Sequence, residues 1–194
     1  MTLPIRSLAL AAACLLSACA TSNFQPPVGH WSKPDPAKAY LYGSFKLNGI
    51  SDIHAATNNY PGLGLRFVCE GDEEFTVGLA PLSPDQLFEV PARLCSLKTF
   101  TGNNAMSGRV MSEQRYRGTA LQNVRFAAGT LHYAGDVTGE FATTPGKLVW
   151  RLTGHVNRYA ETTARVLAET PSITTMPRLD VSGVPTSPVA ALRP

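Results

Sequence analysis

Between Tyr40 and Val156 the apolar residues of this chain recur mostly at every second position, a spacing that suits half-buried strands and cannot line one face of a helix. Tyr40 to Leu47 alternates. Leu65, Phe67 and Cys69 share one strand face, and Phe75, Val77 and Leu79 share another after the turn Glu70-Gly71-Asp72-Glu73-Glu74, which predicts a hairpin. Phe88 to Val90 reads as a short strand stopped by Pro91. Leu94 to Phe100 begins another, with a bend at Asn103-Asn104. Leu121 to Ala127, Leu131 to Gly139 and Lys147 to Val156 read as three more, joined by Gly129 and by Thr143-Thr144-Pro145-Gly146. Asn157 to Glu169 departs from this rhythm. It predicts a short helix capped by Asn157, with Tyr159, Thr163, Val166 and Leu167 covering a sheet edge or one open end of the fold.

Both flanks are rich in proline. Pro26, Pro27, Pro34 and Pro36 among small and polar residues predict an extended tether over 19–38, up to about 60 Å long. After Glu169 come Pro171, Pro177, Pro185, Pro188 and Pro194, which predict a loose, disordered tail over 169–194. One mainly β domain over 39–168, an antiparallel sandwich with a short C-terminal helix, is the expected architecture.

The N-terminus holds a single Arg6 and an apolar run from Leu8 to Leu16, shorter than the roughly 20 residues that span a bilayer. The tetrad Leu16-Ser17-Ala18-Cys19 that follows resembles the lipobox of bacterial lipoproteins. The resemblance implies that 1–18 is a signal peptide, that the Cys19 thiol takes a diacylglycerol, and that the new amino group is acylated, as with palmitate. Several acyl chains would hold the protein to the membrane far better than one. Ala20 and Thr21 carry no acid, which in lipoprotein sorting implies the outer membrane, with the domain facing the periplasm. An ordinary secretory signal cut near Ala18 or Ala20 is the other reading.

Of the four cysteines, Cys14 would leave with the signal and Cys19 would carry lipid, so Cys69 and Cys95 remain as a pair in an oxidising compartment. A disulfide between their strands is predicted, stabilising by roughly 3 to 4 kcal/mol on the chain-entropy model. Their separation is unlike that of a redox-active dithiol, so its role is structural. The formal charge of +3 falls by one with Arg6, and no run of Lys or Arg makes the footprint of a nucleic-acid binder. Arg115 and Arg117 flank Tyr116 in what reads as a solvated strand.

The stretch Phe126-Ala127-Ala128-Gly129-Thr130-Leu131-His132-Tyr133-Ala134-Gly135-Asp136-Val137 resembles bacterial lipoproteins of unknown function built on a prealbumin-like β-sandwich, in which a Gly turn precedes an aromatic-Gly-Asp strand. Phe88 to Cys95 is similar to a degenerate copy, with Arg93 in place of Gly129. The resemblance covers roughly 39–168, implies a prealbumin- or immunoglobulin-like sandwich, and brings no catalytic residues.

Period two places Leu131, Tyr133, Gly135 and Val137 on one face of that strand and His132, Ala134 and Asp136 on the other. His132 and Asp136 would lie about 13 Å apart, too far to share a metal unless His54 or His155 joined them. The acidic turn Glu70 to Glu74 lacks the ladder of a calcium loop and reads as a solvated hairpin tip. Gly62 and Gly64 lack the third glycine of a dinucleotide fingerprint, Gly146-Lys147 is no phosphate loop, and no serine sits in a nucleophile elbow. Trp150 alternates with Leu148 and Leu152 as core would, while Trp31 lies in the tether, where it could rest on membrane or domain.

No catalytic residue, metal or cofactor is expected. The reading is a lipid-anchored, non-catalytic binding or structural module for an envelope protein or the cell wall. The alternatives are a hydrolase or carbohydrate-active enzyme assembled from His132, Asp136, Glu140 and His155, or an accessory subunit of an envelope complex.

Overall fold

The computed structural model describes residues 24–25, 27–28, 33–49, 61–80, 83, 85–104, 110–144 and 147–185. The expected signal over 1–18, Cys19, Trp31, His54 and the side chain of Trp150 lie outside the described part. Within it the chain forms two facing sheets and one helix. The first sheet has the order β1 (Phe24–Gln25), β4 (Glu74–Leu79), β3 (Pro61–Cys69), β6 (Leu94–Asn104), β7 (Val110–Arg115), and β8 (Val124–Arg125) also pairs with β6. The second has the order β10 (Lys147–Val156), β9 (Leu131–Thr144), β2 (Ala39–Asn48), β5 (Asp85–Val90), with β11 (Arg178–Asp180) also on β9. The result is the expected mainly β sandwich with a short C-terminal helix. Most pairings are antiparallel, but β1 with β4, β2 with β9 and β11 with β9 run parallel.

The alternating residues meet between the sheets. Register sets Leu63, Leu65 and Phe67 opposite Leu79, Val77 and Phe75, so both halves of the hairpin bury one common face. Phe67 stacks on Phe75 at 5.0 Å, Phe126 packs edge-on against both, and Phe45 meets Phe88 at 6.1 Å. Each such ring contributes about 1.5 to 3 kcal/mol by burial. A second apolar layer lies outside the other sheet, where Tyr40, Tyr42, Leu87, Leu131 and Tyr133 pack on Val166 and Ile173. This is why the first half of β2 is buried on both faces, whereas Lys46 and Asn48 beyond it are exposed.

Helix α1 (Tyr159–Glu169) therefore lies across a sheet face, reaching the β5 edge through Arg165 and Asp85, instead of closing an open end. Asn157 does help to start it, its Oδ1 accepting the Tyr159 N–H at 3.0 Å from one position before the cap residue Arg158. The edge-covering role falls to residues 24–25 and 27–28. Phe24 and Gln25 pair with Thr76 and Val77 on β4, Pro27 bridges Phe88 on β5, and the Val28 N–H donates to the Leu87 carbonyl at 2.7 Å. One short segment thus seals an edge of each sheet, and its proline offers no N–H for further pairing.

Four sequence expectations need correction. The tether expected over 19–38 is docked on the sandwich at 24–25 and 27–28. The tail expected from 169 is packed as far as 185: Thr170, Ile173 and Ser182 are buried, β11 extends the sheet, and Asn157 Nδ2 donates to Asp180 Oδ2 at 2.6 Å and to the Val184 carbonyl at 2.9 Å. The strand expected over 121–127 shrinks to Val124–Arg125, because Leu121 and Asn123 adopt left-handed backbone (φ 54° and 53°). Gln122 and Asn123 instead bond Leu97 and Ser96 of β6. The bend expected at Asn103-Asn104 is a register shift within β6, which pairs with β3 as far as Asn104.

Candidate functional site

Strand β9 carries the residues of the enzyme alternative, and a bulge separates them. Tyr42 pairs with Tyr133 and Ser44 with Asp136, so Gly43 alone opposes Ala134 and Gly135. Gly135 takes φ +99°, open to glycine and closed to most side chains. The extra residue reverses the alternation. His132, Ala134 and Val137 face the inter-sheet core, while Leu131, Tyr133 and Asp136 face the helix. His132 and Asp136, expected on one face, stand on opposite faces.

Each is held by the fold. His132 is fully buried, edge-on to Phe126 at 5.2 Å; its Nε2 accepts the Ala127 N–H at 3.0 Å and its Nδ1 lies 3.2 Å from the Tyr40 carbonyl. These partners select the neutral ring with hydrogen on Nδ1. Burial pushes its pKa below the ordinary 6.5, against the opposing pull of the Tyr40 and Thr130 backbone. Stability is therefore full above pH 6.5 and falls as the pH drops through that value toward the folded pKa, because only the unfolded chain gains the proton readily. Urea midpoints at pH 7.5 and 5.0 should show this loss, and His132→Gln should flatten it. An unchanged pH slope in that variant would refute the assignment.

Asp136 accepts from the Tyr133 hydroxyl at 2.8 Å and from the Thr162 hydroxyl at 2.8 and 3.0 Å. Burial drives the Tyr133 phenol well above its usual range, so it remains a donor, while its oxygen accepts the Arg158 N–H at 2.9 Å. The network continues through Arg165, which donates to Thr162 Oγ1 and to both Asp85 oxygens. It joins helix to sheet. His155 Nε2 lies 3.0 Å from the Ala134 carbonyl, in the interval between β11 and β10 along β9. Glu140 holds Arg151. The four residues do not converge on one cleft.

The hairpin tip forms as expected, with Gly71 and Asp72 at positive φ. Its carboxylates turn to separate arginines: Glu70 to Arg125 at 3.4 Å, Glu73 to Arg93 at 2.6 Å, Glu74 to Arg66 at 3.9 Å. Among the described residues no three His, Cys, Asp or Glu side chains are grouped to hold a metal ion. Cys69 and Cys95 stand directly opposite on β3 and β6 and are joined as a disulfide.

Two clefts flank the N-terminal segment on the helix side of β5, one of about 280 Å³ reaching Tyr40, Glu89 and Ile173, and one of about 210 Å³ reaching Asp85 and Val166. A third, of about 540 Å³, lies at the opposite edge and is lined by Phe100, Gln114, Arg115, Tyr116, Arg117 and Arg151. Sequence reading singled out the Arg-Tyr-Arg triplet but had no means of joining it to Arg151, which comes from the other sheet. Among the described residues no helix is long and apolar enough to cross a membrane. No protein family and no curated protein matches this chain.

Proposed function

We propose that this protein is a bacterial outer-membrane lipoprotein of the type its Phe126–Val137 pattern resembles, anchored through Cys19 and facing the periplasm. Its sandwich serves as a non-catalytic binding or structural module for an envelope protein or the cell wall. The observation that carries this reading is the docking of Phe24 and Gln25 on β4. The chain joins the folded body five residues after Cys19, so the lipid and the sandwich are at most about 18 Å apart. Such a short leash suits a body that works at the membrane face. The full engagement of His132 and Asp136 within the fold supports a non-catalytic role.

Mass spectrometry of the natural protein should find an amino-terminal Cys19 bearing a diacylglycerol and an acyl chain. A chain that begins at Ala20 behind an ordinary cleavable secretory signal should move from the membrane fraction to the soluble fraction. An unmodified amino terminus, or such a chain that still sediments with membranes, would overturn the proposal.

A further inference from the structure

The two lateral sides of the sandwich are unlike. On one side residues 24–25 and 27–28 pair with the edge strands β4 and β5. On the other, β7 ends one sheet and β10 ends the other, and among the described residues neither has a further strand beside it. The 540 Å³ cleft lies between these two edges. Its floor is aromatic: Phe100 is nearly buried, and Tyr116 stands edge-on to it at 5.3 Å. Burial raises the Tyr116 phenol, which keeps it uncharged. The ring lies directly under Gly118, where a side chain would strike it.

The rim is cationic. Arg151 is steadied by Glu140, which accepts from its Nε at 3.0 Å and its Nη2 at 2.7 Å. Arg115 and Arg117 are exposed and meet no carboxylate among the described residues. Arg115 closes β7 and Arg117 follows it by two residues, within reach of carboxylates that recur at about 7 Å on alternate residues of an added strand. A guanidinium takes a carboxylate through two parallel hydrogen bonds, and an open strand edge supplies the backbone groups that add a peptide to a sheet.

We infer that the β7–β10 edge binds an extended acidic peptide segment, its backbone added to β7 and alternate carboxylates seated on Arg115 and Arg117. The edge lies away from the side on which the chain leaves for Cys19. The choice of a peptide over anionic lipid rests on that lipid-anchor reading; the affinity itself does not.

The test uses the full-length mature protein in detergent micelles and a fluorescent heptapeptide of alternating Thr and Glu, followed by anisotropy. Saturable binding is expected, weaker by about tenfold in the Arg115→Ala plus Arg117→Ala variant and weaker again as NaCl rises from about 50 to 300 mM. The same peptide with Gln for Glu should bind at least about tenfold less tightly. Both positions are exposed, so circular dichroism of the variant should match the parent. Absence of saturable binding, equal affinity for the Gln peptide, or unchanged affinity in the double variant would each overturn the inference. So would phosphatidylglycerol vesicles that bind through these arginines when the peptide does not. The chain that begins at Ala20 should bind the peptide as the parent does, which separates a failed anchor from a failed cleft.

Discussion

Replacing Gly135 by valine should lower the stability of the domain by about 3 kcal/mol, read as a fall of roughly 10 °C in thermal midpoint. Two independent penalties meet at this position. A backbone at φ +99° is closed to a β-branched residue, and a Cβ built there falls on the His155 ring, whose Nε2 engages the Ala134 carbonyl. The bulge cannot simply flatten in response. Flattening would return Asp136 to the inter-sheet core and tear it from Tyr133 and Thr162, leaving a buried carboxylate without donors. Nor can Gly43 relieve the strain by shifting, because it already lies against the Gly135 carbonyl, where an added Cβ would sit at 2.6 Å. The steric part can be isolated by a double-mutant cycle, since the cost of Gly135→Val should be smaller in a His155→Ala background. Strict additivity would show that the His155 ring is not what the side chain strikes, and a near-neutral Gly135→Val would refute the bulge itself.

The same glycine marks where the sequence stops being legible. Period two locates β2, β3, β4, β6, β9 and β10, and most inward residues of the first five, because each of those five buries at least one face. It cannot carry a phase through a bulge, so His132 and Asp136 read as neighbours on one face. An isolated glycine inside a strand is itself a signal for a bulge, and weighing Gly135 that way would have separated them. The flanks misled for a different reason. Proline-rich composition is the usual mark of unpacked chain, yet Val28 and Ile173 supply apolar surface to dock, and Pro27 suits an edge where no N–H is required. The arginine-lined cleft is invisible locally, because it exists only where β7 and β10, edges of different sheets, lie beside each other.

Removing the disulfide, as Cys69→Ala with Cys95→Ala, should cost roughly 3 to 4 kcal/mol, an effect as large as the loss of the bulge but acting on the opposite side of the folding equilibrium. In the native state the bond adds little that is not already present. Cys69 and Cys95 sit opposite each other in a ladder that pairs β3 and β6 over the length of β3, and the Cys69 and Glu70 N–H groups donate to Glu73 and Leu94. The native geometry should therefore survive in the variant. The unfolded chain is what changes, because the bond closes a loop spanning 26 positions. That loop contains β4, β5 and the two crossings that carry the chain to the other sheet and back, so an open loop must find both sheets at once. With a urea slope near 2 kcal/mol/M, the midpoint should fall by about 1.5 to 2 M while the slope rises, since the open unfolded chain exposes more surface. The parent should show no reactive thiol at Cys69 or Cys95 under native, non-reducing conditions. Titration of both thiols there, or a midpoint unmoved in the double variant, would remove the disulfide from the account. Folding under reducing conditions should reproduce the variant's loss, because the bond that closes the loop then never forms.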